Sequence, residues 1–184
     1  MVKETILWRR LDLPGHDACR LSSSGTDWQL SGTAVFLDEG RPTLLAYEVT
    51  CDEWWHVREG SVSGWSGPIP ITARFARSAA GSWTMNGIVA SSVDDCLDLD
   101  FGFTPATNII QIRRMALAVG ERREVPVAWF DPSAARLVRL PQIYERRSKS
   151  TYRYEAPTVP YSGELEVNDA GFVRLYPGLW EQVG

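Results

Sequence analysis

The stretch Leu97-Asp-Leu-Asp-Phe-Gly-Phe-Thr-Pro-Ala-Thr-Asn108 is followed, after four intervening residues, by the paired arginines Arg113 and Arg114. Residues 97–114, here called the signature segment, therefore combine two carboxylates, a Thr-Pro turn and two guanidinium groups. Neither a simple strand nor a simple helix needs all of these groups. The segment thus specifies more than packing.

The signature segment resembles that of the putative glycolipid-binding family, a bacterial domain first catalogued as of unknown function. The same resemblance extends to Ala46–Trp54, Val127–Trp129, Gln142–Tyr144, Tyr152–Tyr154 and Gly171–Gly178. It covers nearly all 184 residues as a single domain, residues 1–184. The resemblance implies a sheet wound into a roll with an apolar interior, distantly similar to the half-barrel of periplasmic lipoprotein carriers.

Apolar alternation independently favours strands. Residues 45–51 alternate with the period of two that is typical of a half-buried strand. Residues 71–87 and 165–176 have the pattern of two hairpins, the second turning through Asn168–Gly171. Thr104 and Pro105 could begin about one turn of helix, after which alternation from Ile110 to Val119 predicts another strand. We therefore expect an all-β protein, an antiparallel sheet curled into a roll or barrel-like half-barrel with at most a short helix.

The composition of the chain argues against several classes of binding partner and cofactor. The formal charge of -4 and the pI near 5.2 argue against binding to nucleic acid. Residues 113–153 carry a local excess of basic side chains, which we interpret as a solvated strand face. Cys19, Cys51 and Cys96 are too scattered for a disulfide framework or a zinc site, and no phosphate-binding or dinucleotide motif occurs. We expect no metal and no cofactor.

The N-terminus and the lengths of the apolar runs indicate where in the cell the protein is located. The first eight residues lack the apolar region of a signal peptide, and no apolar run approaches the length of a membrane span. These features predict a cytoplasmic protein without stable membrane insertion.

Aromatic and cationic side chains supply the candidate binding residues. Trp54, His56 and Arg58 would share a strand face, where a ring could stack on a sugar and a guanidinium could hold hydroxyl or phosphate groups. A core position for Trp54 and a solvated Arg58 are the equal alternative. Trp83 is predicted to border the same groove, whereas Trp55 is predicted to lie in the core. Asn108, Arg113 and Arg114 of the signature segment complete the predicted ligand-binding set.

A strand over residues 94–101 would place Asp94, Asp98 and Asp100 on one face. Asp98 and Asp100 then allow two interpretations. They could form an acid–base pair, but two carboxylates alone are a weak catalytic signal, and no nucleophile motif supports a hydrolase. We favour a structural network of Asp98, Asp100 and Thr104. In it, Arg113 or Arg114 pairs bidentately with one of the two carboxylates and fixes the turn from Thr104 to Asn108.

The sequence leaves three functions open. The first is non-enzymatic binding of a lipid or glycolipid in an apolar groove of the curled sheet, and it rests on the resemblance and the eight tryptophans. The second is an uncharacterised enzyme that uses Asp98 or Asp100. The third is a homodimeric interaction module that uses exposed tryptophans.

Overall fold

The computed structural model describes all 184 residues. The fold contains fifteen strands and one α-helix, α1 (Asn108–Met115), with a 3-10 turn at Ser91–Val93. The strands are β1 (Val2–Arg10), β2 (Gly15–Ser24), β3 (Asp27–Asp38), β4 (Arg41–Cys51), β5 (Val57–Ser66), β6 (Ile69–Arg77), β7 (Trp83–Met85), β8 (Ile88–Val89), β9 (Asp98–Phe101), β10 (Arg122–Asp131), β11 (Arg136–Arg146), β12 (Thr151–Ala156), β13 (Tyr161–Val167), β14 (Val173–Tyr176) and β15 (Trp180–Gln182).

All fifteen strands belong to one sheet, in the order β8-β7-β6-β5-β4-β3-β2-β1-β15-β14-β13-β12-β11-β10-β9. Neighbours are antiparallel except β9 and β10, which run parallel. The sheet is curled but not closed, because its two end strands, β8 and β9, do not pair. The all-β roll predicted from the sequence is confirmed.

The curl follows from the alternation along the strands. In β4, residues 43, 45, 47, 49 and 51 are buried, and the residues between them face outward. The predicted hairpins are present as β6–β7 and β13–β14. The inward side chains join one continuous core of 42 buried apolar residues, which includes the predicted core residue Trp55. Burying one face of so long a sheet requires it to wrap around its own side chains.

The strand predicted from Ile110 to Val119 is wrong. These residues begin inside α1, which packs into the core with six of its eight residues buried. Alternation failed as a guide because the segment is buried on nearly every side, so tertiary packing overrides the strand preference of β-branched isoleucine. The helix ends at Ala116, whose left-handed backbone (φ 46°) forms the C-cap.

Two other local predictions need correction. Trp54, His56 and Arg58 do not share a strand face, because residues 52–56 form a turn in which the Asp52 carboxylate accepts the backbone N–H groups of Trp54 and His56, both at 2.9 Å. The acidic run 94–100 is not one strand either. Only β9 is extended, and all four of its residues are buried because it is covered on both faces.

Helical residues make up less than a tenth of the chain, in agreement with the short helix that the sequence predicts. None of the helical segments is long and apolar enough to cross a membrane.

Candidate functional site

The signature segment passes through the interior of the roll. It enters as β9, turns at Gly102–Thr107 and continues as α1. Its polar groups are therefore carried into the core, where each needs a partner because an unpaired buried polar group is costly. No buried side-chain nitrogen or oxygen is left without a hydrogen bond.

Arg114 and Asp98 form the bidentate pair that the sequence predicts. Arg114 donates from Nε and from its terminal amino group to the two carboxylate oxygens of Asp98, at 2.7 and 2.6 Å. The Asp98 side chain is fully buried and that of Arg114 is 14% exposed. Burial lowers the pKa of Arg114, but the hydrogen bonds that it donates to the Asp98 carboxylate, together with the negative charge of that group, outweigh this effect and raise the pKa. The pair ties the last turn of α1 to β9, so it does not fix the Thr104–Asn108 turn directly as predicted.

Asp100 receives a chain of hydrogen bonds from the other side of the roll. Asn108 donates to the Tyr144 hydroxyl at 2.7 Å, Tyr144 donates to Gln142 at 3.3 Å, and Gln142 donates to Asp100 at 2.7 Å. The hydroxyl of Thr107 also donates to Asp100. Burial raises the pKa of Asp100, while the bonds from Thr107 and Gln142 oppose the shift. This chain joins the start of α1 to β9 and β11.

A third cluster holds the turn itself. The hydroxyls of Thr104 and Tyr47 both donate to the carboxylate of Asp17, and they lie 3.2 Å apart. Asp17 lies on β2 and is fully buried. Burial raises its pKa to about 6, against the hydrogen bonds from Thr104 and Tyr47. The Thr104 hydroxyl also accepts the backbone N–H of Ala106 at 3.0 Å, so the cluster defines the local path of the chain.

The concave face therefore offers no open apolar channel along the roll, because α1 and the core aromatics fill it. One accessible part is a cavity of about 310 Å³ at the end of the roll where β4 and β6 begin, larger than a cavity of about 220 Å³ beside the last turn of α1. We call the larger of the two the mouth pocket. Its lining residues are Arg10, Phe36, Asp38, Arg41, Thr43, Leu45, Ser66, Ile69, Ile71, Gly102, Phe103, Trp129, Asp131, Pro132 and Ser133.

The signature segment forms one wall of the mouth pocket. Phe103 is stacked on Phe101, with ring centroids 5.5 Å apart and an angle of 7° between the rings. The indole of Trp129 lies against Gly102, and a Cβ added at Gly102 would stand 2.6 Å from its Nε1. Glycine is therefore required for this indole position. The Trp129 Nε1–H makes no hydrogen bond within the protein and is available to a ligand.

The rim of the mouth pocket is charged but balanced. Arg10 pairs with Asp12 through bonds of 3.0 and 2.7 Å, and its guanidinium lies over the ring of Phe36 at 4.9 Å. Arg41 pairs with Glu39 at 2.8 Å. Asp131 uses Oδ1 to hold its own turn, whereas its Oδ2 has no donor within the protein. The pocket thus combines aromatic walls with free donor and acceptor groups.

A larger concavity of about 1030 Å³ lies on the outer face of β1–β5. It is an open trough, and the outward side chains on its floor are mostly small, such as Ala18, Thr33, Ala46 and Ser63. The trough is more open to solvent than the mouth pocket and its lining is more polar, so the smaller mouth pocket is the better candidate.

The structure does not bring the six predicted ligand-binding residues together. Trp54 is 64% exposed at the end of the roll opposite the mouth pocket, and Arg58 pairs with Asp27 at 3.1 Å. Trp83 is fully buried, with its Nε1 donating to the Cys96 carbonyl at 2.8 Å, so it belongs to the core and not to a groove.

The three predicted binding residues of the signature segment are engaged elsewhere. Asn108 belongs to the buried Asp100 chain, and Arg114 pairs with Asp98. Arg113 donates to the backbone carbonyls of Ala170 and Asp169, at 2.6 and 3.0 Å. Any contact of these three residues with a ligand remains a prediction.

Sequence reasoning did not single out Trp129, Phe103, Phe36 and Arg10. A signal for two of them was present, since Phe103 and Gly102 lie inside the signature segment and Trp129 ends another segment of the family resemblance. What the sequence could not show is that β10 places the indole on Gly102.

Comparisons with known proteins agree with this architecture. A family model described as Putative glycolipid-binding matches residues 5–182. A crystal structure of a DUF1089 family protein from Pseudomonas aeruginosa is similar, with 29% identity, a TM-score of 0.82 and 92% coverage of each chain. Among curated protein sequences, none matches this chain.

Proposed function

Because this chain belongs to the putative glycolipid-binding family, we propose that it binds an amphiphilic ligand without catalysis and holds a sugar-like head group in the mouth pocket. The single observation that carries the proposal is the pocket wall, where the half-buried Trp129 presents aromatic surface, with the buried ring of Phe103 in the same wall, beside a free indole N–H and a free carboxylate oxygen of Asp131. Aromatic faces stack on the C–H surfaces of a sugar, and the polar atoms hold its hydroxyls.

The size of the pocket supports a head group over an acyl chain. A volume of about 310 Å³ is at the lower end of the range of small-molecule sites. The filled core behind it leaves a long chain no room to follow. The apolar part of the ligand would then remain outside the roll.

The contacts of Asp98 and Asp100 support a structural role for these carboxylates. Asp98 is fully occupied by Arg114, and Asp100 accepts bonds from Thr107 and Gln142. Both are buried, and neither lines the mouth pocket. This arrangement supports binding over an acid–base mechanism at that pair.

We predict that Trp129→Ala weakens binding of a glucose-headed alkyl detergent, held below its micellar concentration, by at least about tenfold. The loss reflects the stacking surface and the indole donor. Isothermal titration calorimetry on folded protein measures the affinity. A detergent with the same alkyl chain and a phosphocholine head should bind the wild type more weakly.

The matched control is Trp54→Ala, which removes an exposed indole at the opposite end of the roll. It should leave the affinity unchanged. Loss of binding in Trp54→Ala with none in Trp129→Ala would move the site to Trp54 and Arg58, as the sequence first indicated.

Gly102→Ala tests the pocket without removing any of its side chains. The new methyl group would meet the Trp129 indole at 2.6–2.9 Å and force it to move. We expect weaker detergent binding with a fluorescence change from Trp129, which a Trp129→Phe background should abolish. Unchanged affinity would show that the indole position does not matter for the ligand.

A further inference from the structure

Three exposed residues and the half-buried Leu44 form an apolar row on the outer face of the sheet next to the mouth pocket. Val35 lies directly opposite Leu44, Leu44 opposite Trp65, and Trp65 opposite Pro70 in the strand register. Val35 is 51% exposed and Trp65 is 42% exposed. We call these residues the apolar row. Three strand spacings make it roughly 14 Å long.

The apolar row is continuous with the mouth pocket. Two residues further toward the mouth on the same face as Val35 and Leu44, the register partners Leu37 and Pro42 are also apolar and at least partly exposed. Ile69 itself is 52% exposed at the lip. Apolar surface therefore runs from the pocket over the lip onto the outer face.

The charges at this end favour an uncharged partner. Arg10 is paired with Asp12 and Arg41 with Glu39, and the pocket lining adds the carboxylates of Asp38 and Asp131, so this end offers no free cation to an anionic lipid. An exposed apolar patch with a tryptophan marks a surface that contacts a protein or a membrane interface. The position of the row beside a pocket for an amphiphile's head group points to the membrane.

From these observations we infer that the apolar row and Ile69 dock the mouth end reversibly onto a lipid surface of zwitterionic head groups. The inference rests on the proposed function, which it deepens: the pocket would take its ligand directly from the bilayer while the acyl chains stay in the lipid. Trp65 would lie at the level of the head groups, with Val35 and Ile69 on either side.

Sedimentation with phosphatidylcholine vesicles that contain no glycolipid tests the inference. Wild-type protein should sediment with the vesicles, and Trp65→Ser should weaken this binding by at least about tenfold. Trp54→Ser is the matched control, because it makes the same change at a more exposed tryptophan at the other end of the roll. It should leave binding unchanged. Binding should persist at about 0.5 M salt, where exposed charges are screened.

The head-group proposal and the lipid-docking inference can be contradicted independently of each other. Trp129→Ala should keep vesicle binding, and Trp65→Ser should keep the affinity for monomeric glucosyl detergent. Absence of wild-type sedimentation, loss of binding in high salt, or an equal loss in Trp54→Ser would overturn the lipid-docking inference. So would a lipid-free dimer in sedimentation equilibrium that Trp65→Ser dissociates, since the apolar row would then bind a second copy. Val35→Ser should weaken vesicle binding as Trp65→Ser does. This second variant shows that the effect does not come from misfolding of Trp65→Ser.

Discussion

Arg114→Leu should lower the free energy of unfolding by roughly 3–5 kcal/mol, because it leaves the carboxylate of Asp98 buried without its partner. Asp98 has no exposed surface, and both of its oxygens accept from Arg114. Water cannot replace the lost donors unless β9 or α1 moves. Urea unfolding at neutral pH, followed by circular dichroism, measures the change.

Arg113→Leu is the matched control, since Arg113 is the preceding residue of the same helix. Its partners are the backbone carbonyls of Asp169 and Ala170 at the surface, so we expect a loss of roughly 1 kcal/mol. The double variant Arg114→Leu with Asp98→Asn should cost clearly less than the sum of the single changes, because neither charge is then left alone. Additive losses would contradict the buried ion pair.

The sequence predicted this pair for a partly wrong reason. Strand alternation was expected to place each arginine among apolar neighbours, but the segment is helical, and Arg114 reaches Asp98 from the last turn of α1. The predicted pair is nevertheless present, because the free-energy cost of a buried charge does not depend on the secondary structure that carries it. The predicted strand is wrong, because α1 is too short for its polar residues to show a helical period.

The strands themselves were predictable where one face meets solvent, as in β4, β6 and β13. Prediction failed at residues 52–56, where the Asp52 carboxylate turns the chain through hydrogen bonds that no alternation encodes. It also failed for the mouth pocket, which joins residues that lie far apart in the sequence, from Arg10 to Ser133. Such a pocket depends on the curl of the whole sheet, and the alternation pattern of a single strand does not predict that curl.

Asp17 shows what a closer reading of one strand could have found. Along β2 it is in phase with the buried Cys19 and Leu21, so a carboxylate occupies a core position. A polar residue at such a position predicts a buried hydrogen-bonded partner, but not its identity. The partners, Tyr47 and Thr104, come from β4 and from the signature segment.

Asp17 should make the protein less stable as the pH rises. Its pKa in the folded protein is about 6, above the ordinary value of 3.8, because burial disfavours the charged form. The folded protein therefore holds this proton more tightly than the unfolded chain does. The associated stability is fully present below about pH 4 and is lost as the pH rises to about 6, a total of about 3 kcal/mol.

Asp17→Asn removes this titration while keeping an oxygen that can accept from Thr104 or Tyr47. The unfolding free energy of Asp17→Asn minus that of the wild type should therefore increase by about 2 kcal/mol between pH 4.5 and 7.5, the part of the total that falls in this interval. Urea unfolding at several pH values measures the difference, and the effects of other carboxylates common to both proteins cancel in it. Tyr47→Phe should shift the loss to higher pH, because it removes a hydrogen bond that lowers the pKa of Asp17. Parallel pH profiles for the wild type and Asp17→Asn would show that Asp17 is ionised in the core at no cost, and that water or a moved side chain reaches it.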